Sequence, residues 1–282
     1  MSKKTISWVI PCFNEEEVIL DTISRIVNVS DSIDSYCFEI IFIDDGSIDQ
    51  TRKLIKSKIK DDPRIQLIGL SRNYGHQVAV QAGLNTSLGS AVIIIDADLQ
   101  DPPEVVNSFI QEWENGFEVI YGKRIERKSE SLFKKFTAAL FYRIMNLISD
   151  IDIPLDTGDF RLIDEKVVYA LRDMPEKGRF LRGLITWAGF RQKHIEYKRE
   201  PRFAGKSKYP LRKMLVFALE GITSFSRKPL QISSLAGVIA SVISLLGIFY
   251  VLYIRLLTNN WVEGWAWLAL IILMSSGLQL IC

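Results

Sequence analysis

Two acidic clusters carry the chemistry that can be read first. In Asp96-Ala97-Asp98-Leu99-Gln100-Asp101, which follows an apolar run, alternating positions turn the carboxylates of Asp96 and Asp98 toward one site. With the side-chain carbonyl of Gln100 they form an oxygen donor set suited to a hard cation such as Mg2+ or Mn2+, which would also take phosphate oxygens. The second cluster is Asp44-Asp45-Gly46-Ser47-Ile48-Asp49. Its charge has the wrong sign for a phosphate nest, so hydrogen bonding to a base or ribose is the more natural use. Ser47 or Asp49 would also serve as a helix cap. There is no G-x-G-x-x-G after the first strand and no G-x-x-x-x-G-K-[ST], which excludes a dinucleotide dehydrogenase and a P-loop NTPase. The cysteines Cys12, Cys37 and Cys282 and the histidines His76 and His194 lack zinc-ligand spacing. Neither structural zinc nor a disulfide framework is expected, and reduced thiols fit best.

These clusters must be positioned by the elements around them. Apolar, β-rich runs at Thr5–Phe13, Phe38–Ile43, Ile65–Leu70, Ala91–Ile95 and Val119–Tyr121 alternate with helical spacing at Val18–Val29, Asp49–Lys60 and His76–Leu88. Another helix begins at Pro102-Pro103, where proline suits the first turn. Strands buried on both faces and separated by single helices predict a parallel sheet with right-handed crossovers, closing at Val119–Tyr121. Ligands of such sheets bind at the carboxyl ends of the strands. Both acidic clusters fall there.

The charge is distributed unevenly. The 282 residues include 35 Lys+Arg and 33 Asp+Glu, for a net charge of +2. This balance excludes a disordered chain and a basic nucleic-acid binder. From Leu230 to Cys282, however, the only charged side chains are Arg255 and Glu263. Leu235–Leu252 is almost wholly apolar, and a second run, Trp265–Cys282, opens on an interfacial-looking Trp265/Trp267 pair. Two membrane spans are therefore expected. Arg212, Lys213, Arg227 and Lys228 precede the first, and the loop Thr258–Glu263 carries no Lys or Arg, so the positive-inside rule keeps the charged body cytoplasmic. The N-terminus shows no signal peptide, which agrees. Leu211, Leu215, Ala218, Leu219 and Ile222 recur at helical spacing, as in an interfacial helix.

Four motifs, Pro11-Cys-Phe-Asn-Glu15, Asp44-Asp-Gly-Ser47, Asp96-Ala-Asp-Leu-Gln100 and Asp156-Thr-Gly-Asp-Phe-Arg161, occur in this order. Together they resemble family 2 glycosyltransferases of the polyprenyl-phosphate sugar synthase type, over essentially the whole chain. The resemblance implies an α/β fold of the GT-A type: a Rossmann-like, mostly parallel sheet with helices on both faces, then amphipathic juxtamembrane helices and two C-terminal transmembrane helices. The corresponding divisions are a catalytic domain over 1–210, a juxtamembrane region over 211–229, and spans over 230–257 and 264–282.

By the same resemblance, Pro11, Glu15, Asp44 and Asp45 line the donor nucleotide's base and ribose, with Asp96 also on the donor. Asp96, Asp98 and Gln100 hold Mg2+ or Mn2+ on the diphosphate, and Arg124 lies near the phosphates. Asp159 is the catalytic carboxylate, with Arg161 holding it and Asp98 counted beside them in the catalytic set. Arg202, Lys206 and Lys208 face the lipid phosphate.

The implied reaction is inverting transfer of a sugar, glucose from UDP-glucose in the first instance, to an undecaprenyl-type phosphate at the plasma (inner) membrane. The donor sugars UDP-N-acetylglucosamine and GDP-mannose stay open alternatives. So do a processive polysaccharide synthase, although Q-x-x-R-W and further spans are missing, and a non-catalytic membrane scaffold. Two spans per chain are few, so a homo-oligomer would bury more surface.

Overall fold

The computed structural model describes residues 3–125, 157–174, 181–200, 228–257 and 264–281. They fall into two compact units, one built on a sheet and one a pair of C-terminal helices.

The first unit follows the predicted alternation closely. Strands β1 (Thr5–Cys12), β2 (Cys37–Asp44), β3 (Ile65–Gly69), β4 (Ala91–Ile94) and β5 (Val119–Arg124) alternate with helices α1 (Ile19–Asp31), α2 (Thr51–Ile59), α3 (His76–Thr86) and α4 (Val106–Glu114). A short 3-10 turn at Pro103–Val105 leads into α4.

The sequence predicts that the series closes at β5, but it continues. A further strand, β6 (Thr157–Asp164), is followed by α5 (Glu165–Asp173), α6 (Leu181–Trp187) and β7 (Gln192–Tyr197). The sheet order is β3-β2-β1-β4-β6-β5-β7. β1 pairs in parallel with β2 and β4, whereas β6 runs antiparallel between β4 and β5, with Ile94 opposite Arg161. The sheet is thus mixed at its centre. Because β6 is antiparallel, its amino end lies at the edge where β1, β2 and β4 end. That reversal brings Asp159 to the acidic clusters.

Side-chain alternation divides the core between the two faces. Ile6, Trp8 and Ile10 of β1 pack with Ile19, Ile23 and Ile26 of α1 and with Phe109 of α4. Phe160 of β6 joins this layer, its ring 4.8 Å from Phe109. Its neighbours Asp159 and Arg161 therefore point to the opposite face, the side of α3. That burial of whole isoleucine and tryptophan side chains, each contributing about 1.5–3 kcal/mol, fixes the framework against which the polar edge is held.

The second unit is α7 (Lys228–Leu257) and α8 (Trp265–Ile281). Small residues let the two come close: a Cβ on Gly277 would meet the carbonyl oxygen of Gly237 at 3.0 Å. Ser244 Oγ donates to the Leu270 carbonyl at 3.0 Å. Leu230–Ile254, with mean hydropathy 2.4, is the one described helix long and apolar enough to cross a membrane. At 1.5 Å per residue α7 measures about 45 Å and α8 about 26 Å.

Candidate active site

The loops after β1 and β2 are bound to each other by backbone amides donating to side-chain oxygens. The N–H groups of Asn14, Glu15 and Glu16 donate to Ser47 Oγ, Thr51 Oγ1 and Asp49 Oδ2, and Ile48 N–H returns a bond to Asn14 Oδ1 at 2.9 Å. Asn14 adopts the left-handed region, φ 53°, which asparagine tolerates better than most residues. Ser47 is thus spent on the first loop rather than on a cap. Asp49 does accept the first amide of α2, Thr51 N–H, at 3.0 Å. Pro11 is buried at the end of β1, and Glu15 sits partly exposed just beyond it.

Asp44 and Asp45 are both buried, and each has a defined internal task. Asp44 accepts from Ser47 N–H and from Arg52 Nε, whose Nη2 also bonds the Leu70 carbonyl. Asp45 accepts the amides of Tyr74 and Gly75 at 2.7 and 2.9 Å and so fixes the turn into α3. Gly46 is needed between these turns. Its φ is +74°, and a Cβ would strike the backbone of Arg72 and Asn73. The acidic pair therefore organises the 71–75 loop as well as presenting oxygen at the strand end.

That loop delivers His76, the first residue of α3, to Asp159. His76 Nε2 lies 2.9 Å from Asp159 Oδ2, and its Nδ1 is 3.7 Å from Asp96 Oδ1. Arg182 of α6 donates from Nε to Asp159 Oδ1 at 2.7 Å, and Gln77 Nε2 is 3.4 Å from Oδ2. Gln77 also accepts the first amide of α6, Leu181 N–H, at 3.2 Å, which ties that helix to the site. Arg161, two residues along β6, is almost fully buried. It reaches Gly158 O at 3.1 Å but stands 3.8 Å from Asp159. Its Nε has no hydrogen-bond partner among the described residues.

The electrostatics follow from this packing. Burial opposes ionisation of Asp159, but Arg182 and His76 outweigh it and hold the carboxyl well below 3.8. Burial alone would lower His76, yet Asp96 and Asp159 lift it to about 9. Removal from water pushes Arg161 down to about 10. Asp159 is accordingly a carboxylate of low basicity, held in place by cations.

Asp96 and Asp98 lie together beyond β4. Burial first, then Asp159, Asp98 and Asp101, push the Asp96 carboxyl up to about 6 against the pull of His76. These side chains are hard oxygen donors of the kind that suits Mg2+ or Mn2+, although the described residues contain no group of three or more His, Cys, Asp or Glu placed to hold a metal ion. The turn is tight: Leu99 is left-handed, φ 55°, a conformation that costs about 1–2 kcal/mol for an ordinary side chain. Gln100 N–H bonds Asp98 Oδ1 at 3.2 Å.

Arg124, at the end of β5, is 3.3 Å from both Asp101 Oδ2 and Tyr197 Oη. It lies against Gly158, where a Cβ would come within 2.6 Å of its Nη2. The structure thus gathers Asp44, Asp45, Asp96, Asp98, Asp159, Arg161 and Arg124 on one edge of the sheet. Arg202, Lys206 and Lys208, and the helix expected over 211–226, lie outside the described residues. Arg182, Gln77 and Asp101 were not singled out by their sequence context, and His76 enters there as a zinc-ligand candidate and is set aside.

The sheet-bearing unit is a mixed seven-stranded α/β sheet with acidic loops at the carboxyl ends of β2 and β4. The chain belongs to glycosyl transferase family 2, whose family model matches residues 7–172. It is a glycosyltransferase, and the relatives extend over nearly its whole length. It is 46% identical to the uncharacterized glycosyltransferase YkcC of Bacillus subtilis over 275 residues, covering 98% of this chain and 85% of that one. It is 39% identical to the prophage bactoprenol glucosyl transferase homolog of Escherichia coli and to the bactoprenol glucosyl transferase of Shigella phage SfV, covering 98% of this chain and 90% of each. Among solved structures, glucosyl-3-phosphoglycerate synthase from Mycobacterium tuberculosis, in complex with Mn2+, UDP and phosphoglyceric acid, shares the fold. The TM-score is 0.50 at 18% identity, covering 78% of this chain and 76% of that one.

Proposed function

We propose that this glycosyltransferase moves a hexose, glucose in the first instance, from a nucleotide diphosphate donor to a polyprenyl phosphate, with inversion at the anomeric carbon. The observation that carries the reading is the 39% identity, across 98% of the chain, to proteins named bactoprenol glucosyl transferase. UDP-glucose is the donor proposed, with Pro11, Glu15, Asp44 and Asp45 on the base and ribose side and Arg124 near the phosphates. Asp96, Asp98 and Gln100 would hold Mg2+ or Mn2+, which when bound neutralises the leaving diphosphate.

The acceptor needs little help in losing a proton, because a phosphomonoester's second pKa is about 6. A carboxylate held as far down as Asp159 is also a poor base. Its role is to fix Arg182 and His76 beside the reacting centre, where their positive charge orients the incoming phosphate. We assign proton abstraction no large part of the rate.

Only 17% of the apolar window of α7 is buried, unlike the core helix of a soluble domain, which supports a membrane-spanning role for this helix. The proposed divisions are a cytoplasmic catalytic domain at 1–210, a juxtamembrane region at 211–229 that brings Arg202, Lys206 and Lys208 to the lipid phosphate, and spans at 230–257 and 264–282. Confinement to the plane of the membrane would supply proximity to the lipid acceptor.

The test is a donor panel on membranes carrying the full chain, with polyprenyl phosphate and Mn2+ or Mg2+. UDP-glucose is expected to label an organic-extractable, mild-acid-labile product, and chelation to abolish it. Labelling from UDP-N-acetylglucosamine or GDP-mannose alone would replace the donor. Labelled long-chain polymer would mark a processive synthase, and no transfer from any donor would overturn the reading.

A further inference from the structure

We infer that Arg25, on α1 and outside the acidic cluster, is a positioning residue for the Asp98–Asp101 turn, acting through the strap formed by residues 197–200. The inference rests on the proposed metal site at Asp96 and Asp98. It concerns what holds that site in shape.

The strained point of the turn is Leu99, left-handed and 7% exposed. A non-glycine residue stays in that region only when its surroundings hold it there. On one side the holding group is Thr22 of α1, whose Oγ1 donates to Ala97 O at 2.7 Å. On the other, Glu200 N–H donates to Gln100 O at 2.9 Å. The carbonyls flanking Asp98 and Leu99 are thereby pinned from two directions.

Glu200 has no strand to keep it there, since β7 ends at Tyr197. Three side-chain contacts fix the strap instead, one of them made by Arg199, whose Nε stands 3.4 Å from Asp101 Oδ1. At one end Tyr197 Oη donates to the buried Asp101 at 2.5 Å. At the other, Arg25 donates from Nη1 and Nη2 to both Glu200 carboxylate oxygens at 2.8 Å. The same guanidinium grips Glu104 from Nε at 2.7 Å and Nη2 at 2.8 Å, just before α4. Thr22 and Arg25 are three residues apart on one face of α1. One helical face thus reaches both ends of the turn, directly through Thr22 and by way of the strap through Arg25.

The clasp is a quarter exposed on the arginine and about half exposed on the glutamates, so as a contribution to global stability it is modest. Its value is geometric. A planar fork engaging two carboxylates sets the direction of approach as well as the distance, which a lysine cannot reproduce. Groups that orient metal ligands from behind commonly change metal affinity about 10–100-fold when removed. Arg25 stands behind the backbone of the turn rather than behind a ligand atom, so the lower end applies.

The experiment titrates Mn2+ into the purified full chain in detergent with UDP present, following free Mn2+ by electron paramagnetic resonance. Arg25→Ala should weaken Mn2+ binding about tenfold, and Arg25→Lys should recover only part of it. Glu200→Gln keeps the backbone bond to Gln100 and loosens only the clasp, so it should fall between the lysine variant and the unaltered chain. The melting temperature is read alongside. A drop in melting temperature with Mn2+ affinity unchanged within twofold would make Arg25 merely structural and overturn the inference. If Arg25→Ala does not fold, Glu200→Gln decides by the same criterion. Failure of the unaltered chain to take up Mn2+ would overturn the metal reading itself, and the inference with it.

Discussion

Replacing Asp159 with asparagine keeps the shape of the side chain and removes the carboxylate nearest to three cations, while Asp96 stays 3.7 Å from His76. Arg182, His76 and Arg161 lie 2.7, 2.9 and 3.8 Å from its oxygens. Deleting one partner of a buried ion pair costs about 3–5 kcal/mol, because the other charge is left uncompensated. Arg182 and His76 are each more than a quarter exposed and relax toward water, whereas Arg161 at 5% cannot. The lower figure, about 3 kcal/mol, is therefore expected, equivalent to a fall of about 6–12 °C in melting temperature for a unit of this size. The folded-state pKa of Asp159 is depressed, so its contribution to stability is complete above the unfolded value of 3.8 and is lost as pH falls toward the folded value. The gap between the two proteins should thus narrow below pH 4, and also narrow as pH rises from about 6.5 toward 9, because the part of the His76 elevation that Asp159 supplies is lost there. The assay is thermal unfolding of the full chain in detergent, read beside the transfer rate. A variant melting within about 2 °C of the unaltered chain at neutral pH would refute the reading of Asp159 as the compensating anion of this cluster.

Two further changes test other contacts. In Gly158→Ala the new Cβ would meet Arg124 Nη2 at 2.6 Å and turn the guanidinium away from Asp101. The donor KM should rise several-fold, while the melting temperature moves little because a flexible side chain takes up the strain. In Gly277→Leu the added atoms would meet backbone, the Gly237 carbonyl oxygen and the Ser241 amide at 3.0 Å. The α7–α8 pair must then separate, at about 1–3 kcal/mol for an overpacked contact, and this should appear as earlier proteolysis between the helices in detergent.

The parallel half of the sheet was legible because β1, β2 and β4 are near-continuous apolar runs, each ended by polar residues. β6 was not, because Thr157-Gly-Asp-Phe-Arg-Leu-Ile-Asp164 carries charge on a face that turns out to be buried. Asp159 and Arg161 made it read as a chemical motif, with no element assigned to it. β7 alternates polar and apolar residues at the sheet's edge and has no buried run to announce it. For the site, the acidic residues stood out by type and spacing. Their holders did not: His76 is 83 residues from Asp159, and Arg182 lies in an ordinary-looking helix. Nothing local marks an arginine whose partner arrives from another strand.

The central antiparallel strand also ties function to the order of assembly. Asp96 and Asp159 face each other only because Ile94 pairs with Arg161. A slip of one residue would turn Asp159 to the far face, and a slip of two would carry it about 7 Å along the strand. This pairing joins segments far apart in the chain, the kind of contact that loop entropy makes slow to form. A nascent chain can therefore build the loops that follow β1, β2 and β4 well before Asp159 arrives. On the role proposed for Asp159, transfer would require the completed sheet.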